Sequence, residues 1–295
     1  MTGRPRNPWG RPRVLAAVTW LYVAWSLVPV AVAMLFSFND GRSRSVWQGF
    51  STRWWWGDPS LSLLHNADYT HALTHSLTLA LLDMAIATPL GVALALGLAR
   101  WRGRGSRAAN LLMLFPLVTP ELVMAVSLLL LFTQVAVVPF ALVELGIGAQ
   151  VIGQVTFSLP YVVVVVRGRL LSIGGEYEEA ARDLGASPAQ ALRLALLPLL
   201  SPAVVASALL VFALSMDDFV VTQYMASDQS TTSIPMLLYG SARGSATPAL
   251  NALASVMVVL TLASTGLAFT TYRLALRRMR EPSQAALREL MAREA

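Results

Sequence analysis

Glu176-Tyr177-Glu178-Glu179-Ala180-Ala181-Arg182-Asp183-Leu184-Gly185-Ala186-Ser187-Pro188-Ala189-Gln190, running on to Leu197-Pro198, is the most densely punctuated stretch of the chain. Residues 176–183 read as a short helix with acids in its first turn, where the helix dipole favours negative charge. Gly185 suits the left-handed position that closes such a helix. Ser187 can cap the next helix, with Pro188 at its first position and Gln190 completing a capping box. Pro198 is expected to end or kink that second helix where an apolar stretch begins. Two short helices joined at a sharp turn are therefore predicted. A plain loop has no need of so much capping chemistry.

Outward from this segment the chain turns apolar. Its 295 residues are 56% hydrophobic and only 13% charged, against roughly 25% charged in a soluble domain. Such a deficit over the whole length means that much of the surface meets lipid. A helix needs about 20 apolar residues to cross the hydrocarbon core. Six stretches qualify: 14–38, 76–99, 109–133, 147–166, 199–224 and 249–272. The predicted fold is all-α, a polytopic membrane protein with six transmembrane helices. The first stretch is charge-free and longer than a signal-peptide core, and no small-residue cleavage pattern follows it, so it is predicted to stay in the membrane. A shorter apolar piece, 135–143, contains Pro139. It is too short to span and is placed at the interface or packed on the protein.

All 22 basic residues are arginine, and the formal net charge is +6. With the N-terminus in the cytoplasm, 18 arginines fall in inner segments. Four, Arg42, Arg44, Arg53 and Arg243, fall outside. An excess of basic residues marks the cytoplasmic side, so both termini are predicted there. The chain divides into a cytoplasmic segment 1–13, a transmembrane domain 14–273 with an inward loop 171–198, and a cytoplasmic tail 274–295. A basic soluble chain would suggest nucleic acid. Here the arginines flank the spans and set topology, so no nucleic-acid partner is expected. The Trp54 to Trp56 cluster falls in the first outer loop. Aromatic residues there commonly sit at headgroup level, and stacking on a cation is the alternative.

Several chemistries are excluded. Without cysteine there is no disulfide, thiol nucleophile or thiolate metal site. Without lysine there is no P-loop, so energy from ATP must come from a partner. The three histidines form no metal spacing with the acids, and none lies deep in a span as a base. No metal site and no catalytic residue are expected.

Four acids fall inside the apolar stretches. A carboxylate in a bilayer is costly, faces the bundle interior and marks a path or a partner. Asp217 and Asp218 lie about 18 residues into the fifth stretch, roughly 27 Å from its inner end. Adjacent helix positions differ by about 100°, so only one of them faces a pore directly. Glu121 lies about 12 residues into the third stretch, roughly 18 Å in and close to midplane. It follows Pro120, with Pro116 one turn earlier, so a kinked or locally open helix is expected there. Asp83 sits about 10 Å below the outer face. Asp217, Asp218, Glu121 and Asp83 are the candidates for a substrate path, with helix packing or hydrogen bonding as the alternative for each. His71 and His75 are placed at the membrane edge.

The punctuated segment resembles the cytoplasmic signature loop of ABC-importer permeases. Glu179-Ala180-Ala181, Gly185 and Leu197-Pro198 match that pattern in register, with Ala195 at its aliphatic position. The resemblance implies a type I ABC importer transmembrane domain, in which this loop is a coupling helix that docks into an ATPase subunit. Glu179, Ala180, Ala181, Gly185, Leu197 and Pro198 are then the ATPase-coupling residues. It also implies the partners: a second permease subunit in a heterodimer, two ATPase subunits carrying ATP and Mg, and an extracytoplasmic solute-binding protein. The chain itself would bind no cofactor.

Spermidine/putrescine importer permeases are similar along about 14–272. The residues that carry this are Ser37-Phe38-Asn39, Trp47-Gln48-Gly49-Phe50, His75-Ser76-Leu77-Thr78, Ser158-Leu159-Pro160-Tyr161, Ser215-Met216-Asp217-Asp218-Phe219, Ile234-Pro235-Met236 and Pro248-Ala249-Leu250-Asn251. Ala249 stands where that family usually has an acid, which leaves the cargo open. The resemblance implies a translocation path for polyamines worked by alternating access. Another small organic cation, a phosphonate, a metal ion or a sugar are alternative cargoes, and the outer acids argue against an anion. An ion-coupled secondary transporter, with the acids as proton relay, is the rival class. Such folds often carry inverted repeats, and no convincing repeat relates the two halves.

Overall fold

The computed structural model describes residues 13–43, 46–101, 103–134, 144–242 and 247–293. Expectations for the N-terminal segment before Arg13, for Arg44, Arg102 and Arg243, and for the apolar piece 135–143 fall outside these residues.

The described residues are mostly helical. In order, α1 spans Arg13–Phe36, α2 Ala67–Arg100, α3 Ser106–Val118, α4 Glu121–Gln134, α5 Ile147–Ile173 and α6 Glu176–Asp183. Next, α7 (Pro188–Gln190) leads through a widened turn, Ala191–Leu196, into α8 (Leu197–Asp217). Then come α9 (Val220–Met225), α10 (Ile234–Ala242) and α11 (Pro248–Arg293). Among the described residues, the extended pairing is a single bridge between Asn39 and Phe50. Five helical stretches are long and apolar enough to cross a membrane: α1, α2, α5, α7 to α8, and the first part of α11. The pair α3 and α4 makes the sixth.

That sixth span differs from the single kinked helix read from sequence. Its halves meet at 107°. Pro120 follows Thr119, and a residue before proline is pushed out of the helical region. Thr119 is accordingly extended, with φ −73° and ψ 130°. At Pro198, expected to end or kink the second helix, the helix does not end. The turn Ala191–Leu196 widens just before Pro198, and a continuous helix runs Pro188–Asp217. Widened turns of this kind accommodate local disruption of the hydrogen-bond ladder. Leu171 to Ile173, placed in the inward loop, belong to α5.

Two compact units emerge. One comprises Asp68–Ser241 with Met257–Ala295. Its core gathers Ala87, Ala95 and Leu98 of α2, Val162, Val163 and Val166 of α5, and Leu200 and Val211 of α8. The faces of α2 explain the packing. Leu82, Ile86, Leu90 and Leu94 recur every four residues and are exposed, while Asp83, Ala87, Gly91 and Ala95 are buried. Large apolar side chains thus point to lipid and small ones toward protein, as membrane packing requires. A Cβ on Gly91 would lie 2.6 Å from Val162 Cβ, so the two helices nearly touch there.

The other unit comprises Met1–Ala67 with Ala242–Val256. Nearly all side chains of α1 from Val14 on are exposed. The loop after it is tied by one buried side chain. Asn39 Nδ2 donates to the carbonyls of Ser43 and Val46, and its Oδ1 accepts from Gln48 N. Trp54 corrects the aromatic-belt expectation. It is fully buried, and its indole N–H donates to Asn39 O at 2.6 Å. Trp56 remains exposed, and Trp55 stacks on Phe38. Asp58 is held well below the usual carboxylate range. The Ser60 N–H is the main cause, followed by Arg53 and the Leu61 N–H.

Candidate translocation and coupling sites

The four intramembrane acids take different roles. α8 ends at Asp217, and the chain unwinds at Asp218 before α9 begins. Asp218 is 8% exposed. Its Oδ1 accepts from Val221 N at 3.1 Å, and Oδ2 from Thr222 N at 3.2 Å and from Gln154 Nε2 at 3.0 Å. It thereby caps α9, as an acid at a helix start should. Ser215 Oγ donates to Gln154 Oε1 at 2.6 Å and completes the amide's bonding.

Glu121 opens α4 beyond the Pro120 break, and its carboxyl lies beside that of Asp218, close enough for the two to interact. Behind it Ala125 packs on Val221 and Met225 of α9. Two carboxyl groups side by side make a place that favours positive charge. Two helix breaks, α3/α4 and α8/α9, thus meet at a pair of acids. The separate depths derived from sequence, roughly 18 Å and 27 Å, assumed straight helices at 1.5 Å per residue. The 107° bend removes that assumption for Glu121.

Asp217, the last residue of α8, is exposed while Asp218 is buried. Asp83 lies elsewhere, on α2 facing α5. It is fully buried, accepts from Ser158 Oγ at 2.7 Å, and has its other oxygen without a partner. His75 is tied to protein. The Gln150 amide nitrogen donates to Thr222 O and Thr231 O. Its oxygen is therefore the acceptor at 2.9 Å from His75 Nε2, which places the ring proton on that nitrogen. Ser76 Oγ accepts from Ile234 N at 2.8 Å.

Gln150 and Gln154 were not singled out from sequence. Both are buried, one helical turn apart on α5, and they organise the junction around α9. Two amides at i and i+4 within an apolar span were the available signal. Ser76, Ser158, Ser215 and Ile234 all lie in segments through which the sequence resembles polyamine permeases. Each makes a hydrogen bond to another element.

At the other end of the unit, α6 is built as its sequence demands. Gly185 has φ 89° and nothing within 4 Å of an added Cβ. Its N–H donates to Arg182 O, and Ala186 N–H donates to Ala181 O at 3.0 Å, which together close a Schellman turn. Ser187 Oγ accepts from Gln190 N, and Gln190 Oε1 accepts from Ser187 N, a complete capping box. No residue of α6 is buried, and Leu184 at its tip is 90% exposed. Of the signature positions, Glu179, Ala180, Ala181 and Gly185 lie on this exposed hairpin. Leu197 and Pro198 lie at the start of α8.

Comparison with known proteins agrees with this architecture. The family model described as "Binding-protein-dependent transport system inner membrane component" matches residues 87–281. The spermidine/putrescine transport system permease protein PotC of Haemophilus influenzae is 37% identical over 247 residues, covering 84% of this chain and 91% of PotC. The putrescine transport system permease protein PotI of Escherichia coli is 35% identical over 254 residues, covering 86% of each chain. A solved bacterial ABC transporter that imports the acidic polysaccharide alginate has the same fold. It superposes with TM-score 0.66 at 14% identity, over 88% of this chain and 96% of its own. This chain is therefore a multi-pass membrane protein that belongs to the binding-protein-dependent transport system inner membrane components, the permease family of ABC importers.

Proposed function

We propose that this chain forms half of the translocation path for polyamines, spermidine or putrescine, in an ATP-driven importer. The observation that carries the proposal is the carboxyl pair of Glu121 and Asp218 at the meeting of two helix breaks. Acidic oxygens at a break in the helices suit a cationic amine, because carboxylates can replace part of its lost hydration. Exposed Asp217, one residue away, extends that acidic character. The names of PotC and PotI support the same cargo class. Asp83 is the fourth residue proposed for the path.

The exposed hairpin of α6, with Glu179, Ala180, Ala181 and Gly185, is proposed to dock into the ATPase, with Leu197 and Pro198 setting its base. The complex would hold a second, non-identical permease, two ATPase subunits and an extracytoplasmic solute-binding protein. ATP and Mg would sit on the ATPases, and no catalytic step would fall to this chain. Both termini and α6 would face the cytoplasm. Arg100, Arg104, Arg107, Arg167, Arg169, Arg182 and Arg193 all lie at or beside the α6 end, in keeping with the preference of basic residues for that side. Residues 14–273 would form the permease domain, flanked by cytoplasmic segments 1–13 and 274–295.

The test is ATPase activity and uptake of the reconstituted complex with its binding protein. Spermidine and putrescine are compared with an anionic solute and a sugar. Stimulation by the polyamines alone is the expected result. Stimulation by another solute would keep the permease and discard the polyamine. Uptake driven by a proton gradient without ATP would replace the importer with an ion-coupled carrier.

A further inference from the structure

α6 is attached to α5 through Gly174-Gly175. Gly174 has φ 76° and ψ −174°, and nothing lies within 4 Å of an added Cβ. Gly174 N–H donates to Leu170 O and Gly175 O accepts from the N–H groups of Glu178 and Glu179, so each glycine is tied to its own helix, and the torsions between the two, free of Cβ, are where α6 can pivot on α5. The orientation of α6 must then be set by contacts other than the covalent link. Its far end is fixed by the Schellman turn and the Ser187 box, and by packing along the turn Ala191–Leu196. Near its start Glu178 reaches another helix. Arg100 Nη2 meets Glu178 Oε2 at 2.7 Å.

Arg100 is the last residue of α2, and α2 is fastened to α5 along its length. The fastenings are the Gly91–Val162 approach, the Ser158–Asp83 hydrogen bond and the His75–Gln150 hydrogen bond. The ion pair therefore joins a swivelling helix to a braced pair of spans. Its side chains are 45% and 25% exposed. Exposed ion pairs are weak, so this one can be made and broken within a transport cycle. From sequence alone Arg100 counted as a topology determinant and Glu178 as one of several acids at a helix start. Neither is a signature position.

We infer that Arg100 and Glu178 form a latch that sets the tilt of α6 on its Gly174-Gly175 swivel and so governs how a push on α6 reaches the braced α2–α5 pair. The latch rests on α6 being the segment that docks into the ATPase. Both residues act through α6, so they are positioning residues.

The test uses the full complex in proteoliposomes, with spermidine as cargo and wild-type uptake scored first. Two quantities are read: ATPase retained on the purified complex, and cargo taken up per ATP hydrolysed. Arg100→Glu and Glu178→Arg should each keep the ATPase bound and lower uptake per ATP about two- to fivefold. The double reversal R100E/E178R should return it to within about twofold of wild type. An arginine in the first turn of α6 opposes the helix dipole, so recovery would come from the pair and not from dipole charge. A neutral set guards against misfolding of the reversed variants: R100Q and E178Q should each lower the ratio, and the double should lower it no further. Unchanged ratios in the single variants, or a double reversal no better than the worse single, would overturn the latch. Leu184→Asp separates the underlying assumption. Loss of retained ATPase supports docking through α6, and full retention with normal coupling would overturn the docking and the latch with it.

Discussion

The turn at Gly185 and the junction at Asp218 each end one helix and start another, and they do so by opposite means. At Gly185 every partner lies within a few residues: Ala181, Arg182, Ser187 and Gln190. At Asp218 the partners come from α4, α5 and α9, as far back in the chain as Glu121. The first is exposed and locally complete. The second is buried, and its polar groups depend on one another. A locally complete turn can be altered without disturbing the bundle, so a defect there reports on a docking partner. A shared buried network cannot, so lost transport from a change at Asp218 does not by itself reveal contact with cargo.

The sharpest way to break this comparison is to change Asp218 and Asp217 separately. Asp218→Ala strands the Gln154 amide and the N–H groups of Val221 and Thr222, and should cost about 3 kcal/mol of stability. Thermal melting in detergent or nanodiscs measures it, and wild-type melting would dissolve the distinction. Asp217→Asn, on an exposed residue, should melt within about 0.5 kcal/mol of wild type while spermidine uptake falls. A smaller effect is expected from Gly185→Val, where a left-handed backbone costs a residue with Cβ about 1–2 kcal/mol. Binding-protein-stimulated ATPase activity should fall while melting of the bundle stays unchanged. Gly185→Asn should retain coupling, because asparagine tolerates that conformation. The smallest change is Ser187→Ala, worth about 1 kcal/mol of local capping. It should appear as faster hydrogen exchange at the Gln190 amide with no shift in global melting. Slow exchange there would mean that the turn is not locally complete.

The same contrast governs what was legible beforehand. The α6 turn could be read letter by letter, because Gly185, Ser187, Pro188 and Gln190 bond within their own segment. The spans were legible because lipid imposes length and apolarity on each of them independently. The four acids stood out because charge is costly in hydrocarbon. Their pairing did not, because the contact of Glu121 with Asp218 depends on how sharply Thr119-Pro120 bends. Pro120 announced a disturbance but not an angle of 107°. Trp54 was misjudged for a similar reason. Its indole N–H is received by the backbone carbonyl of Asn39, fifteen residues earlier, a partner that the local pattern does not announce.

The close approach of Gly91 to Val162 has a consequence for descent. With 2.6 Å between Val162 and the place where a Cβ would sit, the two positions are not free to drift singly. A lineage that acquires a side chain at 91 must shrink the residue at 162 or move the helices apart. Moving them apart would also stretch the Ser158–Asp83 bond two turns away along the same face. Among diverged relatives, the residues at 91 and 162 should therefore trade volume and be inherited as a pair, while the leucines on the exposed face of α2 interchange freely with other large apolar residues.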